Sequence, residues 1–431
     1  MARRAGRPVY LVDGARTPFL KARGRSGPFS AVDLAVLAGR PLLLRQPFAP
    51  DALDDVILGC AAPEPGEANP ARVAALRLGL GERMPAWTVQ RNCASGLQAL
   101  VTGGQAIAEG RADLVLAGGA EALSRAPLLL SEGMALWLAG WMRARGPVAR
   151  LRQLARLRPR HLVPVIALKA GLTDPVVGLD MGQTAEVLAH RFAITRGEMD
   201  AYALDSHRRL AAAQDEGRLA DEIEVVFDRD GRPCDHDDGV RRDTGMAGLG
   251  GLRPAFEPPY GKVTAGNASQ VTDGACWLIL ASEPAVERHG LTPMARVADS
   301  EWAALDPAEM GLGPVHATIP ILRRRGLALG DVDAWELNEA FAAQVLACLA
   351  AWRDDGYCQE NLGLDGAAGT LDRDRLNVDG GAIGIGHPVG ASGARLVLHL
   401  AHVLRRSGGQ RGIATLCVGG GQGGAVLLER V

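Results

Sequence analysis

The chain has 431 residues, 47% of them hydrophobic and 22% charged, with a formal net charge of −2. That length exceeds one simple core, so two or three subdomains are expected, and the near-neutral charge argues against a generic nucleic-acid binder. Seven cysteines, an odd number without a Cys-x-x-Cys pair, argue against a disulfide framework or a zinc ribbon and for a reducing, cytoplasmic compartment.

In chain order, Arg3 and Arg4 precede a short apolar run that Asp13 soon interrupts, which is unlike a signal peptide. No apolar run approaches the ~20 residues needed to span a bilayer. Residues 8–12 read as a strand, 14–18 as a loop, 31–44 as a helix, 55–60 as a strand and 70–80 as a helix. Residues 87–90 read as the end of a short buried strand. From Ser95 onward Leu97, Leu100, Val101, Gly104 and Ile107 recur at helical spacing. Residues 113–119 form another strand. This alternation predicts a parallel sheet covered by helices.

Cys93 falls at the turn between strand 87–90 and the helix that follows. Free backbone N–H groups and the positive end of the helix dipole are expected to face it there. Such a position should lower the thiol below its usual ~8.5. The small residues Ala94, Ser95 and Gly96 would let a ligand carbonyl approach the backbone. A lone cysteine in such a turn is more often a packed hydrophobe, so its reading depends on the rest of the chain.

The texture changes between about 121 and 260, which is rich in charge and loops. Residues 134–173 carry Arg143, Arg145, Arg150, Arg152, Arg156, Arg158, Arg160 and Lys169, with no Asp or Glu, interleaved with Trp137, Trp141 and many leucines. Residues 181–192 and 198–216 have the pattern of amphipathic helices. The whole region is expected to be an insertion lying over the first half, and 353–375 a smaller polar insertion. Near the C-terminus, Gly390-Ala391-Ser392-Gly393 opens an apolar helical run, followed by a strand at 412–416 and Gly419-Gly420-Gly421. That order echoes Cys93-Ala94-Ser95-Gly96, helix, strand, Gly118-Gly119, and predicts two α/β halves with their functional turns on one side.

Three more stretches offer reactive groups. Asn338 follows the strand at 334–337, His387 sits in a glycine-rich loop at 380–388, and Cys417 precedes the glycine triplet. Each alone would more often be structural: a helix N-cap, a satisfied turn histidine, a packed strand-end cysteine. Together with Cys93 they are the types that thioester carbon–carbon chemistry needs.

Cys93-Ala94-Ser95-Gly96, Asn338-Glu339-Ala340-Phe341, Gly386-His387-Pro388 and Cys417-Val418-Gly419-Gly420 resemble the four signature blocks of the thiolases, over nearly the whole chain. The resemblance implies an α/β fold of two similar βαβαβ-type halves in a layered α/β/α/β/α arrangement. The halves would be 1–121 with 263–282 and 283–431, around an inserted loop domain at 122–262. Cys93 would be the nucleophile, His387 the group that removes its proton, and Cys417 the acid/base. Asn338, through a water, would join His387 in one oxyanion hole, and the N–H groups of Cys93 and Gly419 would form the other. Val263–Ser269, with Ala265, Gly266 and Ser269, is similar to the family's coenzyme A segment. Coenzyme A would be substrate and product, with no tightly bound cofactor and no metal. The basic insertion resembles thiolase subunits of fatty-acid β-oxidation complexes, where His often stands in place of Asn338. Thiolytic cleavage of 3-ketoacyl-CoA is the expected reaction; acetoacetyl-CoA formation uses the same groups. A β-ketoacyl synthase would lack the Cys417 block, and a non-catalytic acyl-CoA binder could lack one of the four groups. A homodimer or homotetramer is implied. The basic strip could meet acyl-CoA, an anionic membrane surface or a hydratase/dehydrogenase partner subunit.

Overall fold

The computed structural model describes residues 6–431; Arg3 and Arg4 lie outside the described residues. In chain order the main strands are β1 (Val9–Arg16), β2 (Asp55–Gly59), β3 (Ala86–Val89), β4 (Leu114–Ala122), β5 (Thr272–Ser282), β6 (Ala295–Ala304), β7 (Ala334–Leu337), β8 (Arg411–Val418) and β9 (Gln422–Glu429). With the short strand Leu20–Lys21 they form one ten-stranded sheet in the order β7-β8-β9-β6-β1-β5-β4-β2-β3. The two halves join where Tyr10 and Leu11 of β1 face Arg296 and Ala295 of β6.

The main helices are α1 (Ala31–Leu44), α2 (Pro70–Arg77), α3 (Ser95–Ala108), α4 (Glu132–Arg143), α5 (Pro147–Leu154), α6 (Ala167–Gly171), α7 (Met181–Arg191), α8 (Arg196–Asp215), α9 (Gly313–Arg325), α10 (Ala342–Arg353), α11 (Ala382–Ile385) and α12 (Val389–Ser407). Helices α3 and α12 pack together as a central layer between the two half-sheets. The period of two in β4 shows why both its faces are apolar. Val115 and Ala117 point into this central core, and Leu114 and Leu116 into the outer core under α1 and α2. A second outer core lies under α7, α9 and α10. At the start of α12 the backbone crosses β4 so closely that a Cβ on Gly119 would collide with the Gly390 carbonyl, and one on Gly390 would lie 2.6 Å from the Ala120 carbonyl. Only glycine permits that approach.

Several expectations need correction. The sheet is mixed: β2–β3, β2–β4 and β7–β8 are parallel, but β5 runs antiparallel to both β1 and β4, and β9 antiparallel to both β6 and β8. The alternating first segments do pair in parallel, but β5 and β6 were not read from the sequence, and they return in the opposite sense. Residues 14–16 continue β1 past a register shift between Leu11 and Asp13, where a loop was expected. Strand β3 is an edge strand with no buried residue. The insertion does not lie over the first half as a unit. Helices α7 and α8 bury Ala185, Leu188, Met199 and Tyr202 in the core of the second half with Leu312, Val315 and Phe341, because that face of α10 would otherwise be bare.

Residues 216–240 are held by buried charge. Arg16 Nε donates to Glu222 at 2.7 Å, and its two Nη atoms donate to Asp237 at 2.7 and 2.9 Å. Glu222 also meets His399 Nδ1 of α12 at 2.9 Å. Burial opposes the charge on His399, but Glu222 and Glu336 outweigh it and push the imidazole up to about 10. The segment from Ser124 to Thr173 is different: no residue in it is buried. Its first two residues are anchored outside it, Ser124 on Asp273 and Arg125 on Glu64; beyond them its bonds are largely internal, such as Trp137 Nε1 to the Gln153 carbonyl at 2.7 Å and the stacking of Trp137 on Trp141 at 5.6 Å.

Candidate active site

The nucleophile turn is built by short polar contacts. Ser95 Oγ accepts from Arg91 N at 2.9 Å and donates to the Asn92 carbonyl at 2.7 Å. Asn92 takes φ 43°, in the left-handed region that Asn tolerates better than most residues, and its Nδ2 donates to the Gly419 carbonyl at 2.8 Å. This last bond crosses between the halves and ties Cys93 to the glycine turn after β8. That turn needs glycine: Gly420 and Gly421 have φ 88° and 73°.

Cys93 is not activated as its position suggested. The N–H groups of Ala94 and Ser95 are taken by the Arg91 and Asn92 carbonyls. Burial pushes the Cys93 thiol up to about 11, although the N–H groups of Gly419 and of Cys93 itself donate toward the sulfur and act the other way. Desolvation of a thiolate outweighs two amide donors and the end of a helix. Cys417, at the end of β8, is also buried. Its thiol is raised well above the ordinary range by burial first, and then by its closeness to Cys93. Two neutral thiols therefore face each other at rest.

His387 is the histidine of the glycine-rich loop and is buried. Burial lowers it to about 4, so its ring is neutral at physiological pH. Ser392 Oγ donates to the Pro388 carbonyl at 3.1 Å and so accepts from His387 Nδ1–H at 2.6 Å. That fixes the tautomer: Nε2 carries the free lone pair and lies 3.4 Å from Asn338 Nδ2. Asn338 Oδ1 is buried without a hydrogen-bond partner among the described residues.

Buried carboxylates hold these loops. Glu121, at the end of β4, accepts from the N–H groups of Ala61, Ala62 and Gly390 at 2.9, 3.0 and 2.9 Å. Glu339 accepts from Tyr202 Oη at 2.9 Å and Ser206 Oγ at 2.7 Å, and from Asn377 Nδ2 at 3.0 Å. Asn377 also brackets Leu337, accepting from its N–H and donating to its carbonyl, both at 2.9 Å, which sets the residue before Asn338.

Of the expected site residues, Cys93, Cys417 and Gly419 come together, and Asn338 and His387 form a second pair 3.4 Å apart. The segment with Ala265, Gly266 and Ser269 runs beside the Asn338 block: Ser269 N donates to the Ala340 carbonyl at 2.9 Å. Ala265 is exposed, Gly266 buried and Ser269 half-buried. A cavity of about 540 Å³ opens beside Cys93, lined by Gln90, Asn92, Met181, Gly419 and Gln422 on one side and by the α6 region, with Leu168, Leu172 and Val176, on the other. Apart from Cys93 and Gly419, those lining residues, and with them Ser392, Glu121 and Asn377, were not read as functional. Ser392 alone carried a signal, an isolated hydroxyl five positions after the histidine in a helix opening. A separate cavity of about 290 Å³, between Phe192–Glu198 and Leu346–Arg373, holds none of the site residues.

Residues 9–284 match the model of the thiolase N-terminal domain and residues 291–430 that of the thiolase C-terminal domain. A beta-ketoadipyl-CoA thiolase of Pseudomonas aeruginosa is 42% identical, the alignment covering 99% of this chain and 100% of the relative. A 3-ketoacyl-CoA thiolase of Yersinia pestis is 36% identical over 99% and 98%. Among solved structures, human mitochondrial 3-ketoacyl-CoA thiolase in complex with CoA superposes with TM-score 0.84 at 37% identity, over 99% and 98% of the two chains. Bacillus anthracis acetyl-CoA acetyltransferase does so with TM-score 0.85 at 35% identity, over 99% and 100%.

Proposed function

This chain belongs to the thiolase family of acyltransferases, and from that premise we propose that it cleaves 3-ketoacyl-CoA with coenzyme A to acetyl-CoA and a shortened acyl-CoA. His387 Nε2 takes the Cys93 proton as the sulfur attacks the 3-keto carbon, because a thiol near 11 needs a base and the neutral imidazole is one. The carbon–carbon bond breaks, the acyl group stays on Cys93 as a thioester, and the enolate of acetyl-CoA takes the Cys417 proton. The Cys417 thiolate then takes the thiol proton of coenzyme A, whose sulfur attacks the thioester, and Cys93 leaves with the proton held by His387. The Cys93 and Gly419 N–H groups stabilise one developing oxyanion. Asn338, through a water, and His387 stabilise the other. Ala265, Gly266 and Ser269 contact the pantetheine arm. The chain works as a homodimer or homotetramer in the cytoplasm, in fatty-acid β-oxidation, without metal or tightly bound cofactor. Its basic cap faces anionic headgroups, acyl-CoA or a hydratase/dehydrogenase subunit.

The observation that supports this most is the bond from Asn92 Nδ2 to the Gly419 carbonyl at 2.8 Å, which ties the Cys93 turn to the turn that follows Cys417, with His387 Nε2 3.4 Å from Asn338 Nδ2. The test is incubation with acyl-CoA followed by peptide mass spectrometry. The acyl mass is expected on the Cys93 peptide, with turnover lost in Cys93→Ser because a hydroxyl is the poorer nucleophile. A label on another cysteine, with Cys93 clean, would overturn the assignment.

A further inference from the structure

The cavity beside Cys93 carries a statement about which acyl groups it takes. Its walls combine Ala61, Ala62 and Leu123 from the first half with Leu168, Leu172 and Val176 from the insertion. No Lys, Arg or His lines it. Of the nearby cations two are paired with carboxylates and two lie off the wall. Lys169 lies between Leu168 and Ala170 but is exposed, because α6 turns its leucines inward. Arg125 is paired with Glu64. Arg395 is paired with Glu336 at 2.7 Å. The Arg91 guanidinium rests over the Trp302 ring at 4.0 Å, with Nη1 unpartnered, and does not line the cavity.

The acidic groups point the same way. Asp174 is the one ionisable wall residue besides Cys93, and its carboxylate accepts from Val176 N and Val177 N at 2.8 and 3.1 Å. Glu121, behind Ala61 and Ala62, is an acceptor for three backbone amides. A second carboxylate brought into this space would lose its water and meet acceptors, with no cation to compensate.

We propose that this cavity seats the acyl chain and selects neutral, apolar chains against chains ending in a carboxylate. The relative at 42% identity is named for a substrate that ends in a carboxylate, so here the walls and the overall identity point in opposite directions. The proposal rests on the thiolytic reading above and goes further, to the class of substrate.

The test compares 3-oxohexanoyl-CoA and 3-oxoadipyl-CoA, which share a six-carbon chain and differ at its end. With the full-length protein and coenzyme A, kcat/KM is expected to be roughly 100-fold or more in favour of the neutral chain. Equal rates, or a preference for the carboxylate, would overturn the proposal; the first suspect would then be Arg91, tested as Arg91→Gln. Leu168→Lys places a cation in the wall and should narrow the ratio about tenfold or more. An unchanged ratio in that variant, with the fold intact by circular dichroism, would also overturn it, since the chain end would then lie elsewhere. If neither substrate is cleaved, the thiolytic reading fails by itself. The selectivity is then read by calorimetry with hexanoyl-CoA and adipyl-CoA, where the neutral ligand must bind at least tenfold more tightly.

Discussion

The shell around Cys93 and the cap at 124–173 solve opposite problems. Behind Cys93 the polar groups that hold the loops are buried and paired: Glu121 holds three amides, Asn377 brackets Leu337, and Ser392 fixes the ring of His387. In the cap no residue is buried, and of its eight arginines only Arg125, on Glu64, pairs with a carboxylate among the described residues. Large apolar side chains such as Met142, Leu151 and Leu162 are exposed there. The difference shows where positioning costs are met. Burial sets proton affinities in the shell, raising both thiols and lowering the histidine. The cap is free to vary because nothing in the core leans on it.

The largest expected effect sharpens that contrast at the chemistry. Cys417→Ala should lower turnover by about 10²–10⁴-fold. It should still accept an acyl group on Cys93 yet fail to exchange the α-protons of acetyl-CoA with deuterated water. Normal exchange would remove Cys417 from the proton-transfer role. Next comes the buried charge that anchors residues 216–240. Arg16→Met leaves Asp237 without its cation and Glu222 with His399 alone, and should cost about 3–5 kcal/mol in denaturant unfolding. A loss under 1 kcal/mol would show that the cluster is not what holds the insertion.

Smaller still is Ser392→Ala, which frees the His387 ring. One lost hydrogen bond of about 1 kcal/mol corresponds to a five- to tenfold fall in kcat. The pH dependence of Cys93 modification gives an independent reading. With a thiol near 11 and a histidine near 4, neither group is charged between pH 7 and 9. Alkylation by iodoacetamide should therefore rise about tenfold per pH unit over that range. A plateau would mean a resting thiolate–imidazolium pair. The same burial makes His387 an acid-side liability. Its folded value lies below its unfolded value, so the unfolded chain binds the proton first and stability falls as pH drops from 6.5 towards 4. The smallest effect belongs to the cap. Replacing Arg143, Arg145, Arg150 and Arg152 by Gln should change stability by no more than about 0.5 kcal/mol per site and leave short-chain turnover alone. Sedimentation with anionic vesicles at low and high salt would show whether those charges serve a membrane surface; unchanged sedimentation would leave that role to a partner protein or to acyl-CoA.

The sequence marked the family and its candidate site residues through their glycine turns, while parts of the frame went unread. Helix 31–44 and strand 334–337 were legible to the residue, because periodicity and flanking turns agree there. Strands β5 and β6 were not read. The first is apolar on both faces and so shows no alternation, while the second mixes Arg296, Asp299 and Glu301 with Trp302. Site residues marked by glycine turns, Cys93, His387 and Cys417, stood out. Those that act through them did not. Glu121 sits in an ordinary strand end, and Asn377 reaches Leu337 across 40 positions, a relation that exists only after folding. The raised thiol of Cys93 was also beyond the sequence, since a local turn reveals the dipole but not how deeply the sulfur is buried.

The cavity has a floor and a roof of different origin. Gln90, Cys93, Gly419 and Gln422 belong to the first and second halves, whereas Leu168 and Leu172 sit at the end of the loosely attached cap and Val176 just after it. Bond-making and substrate choice are thus written on separable pieces of one chain. A change of diet can be made by exchanging a few residues of the roof, with the proton relay inherited intact. Conversely, a mutation that disables the relay leaves a pocket that still sorts acyl chains by their ends.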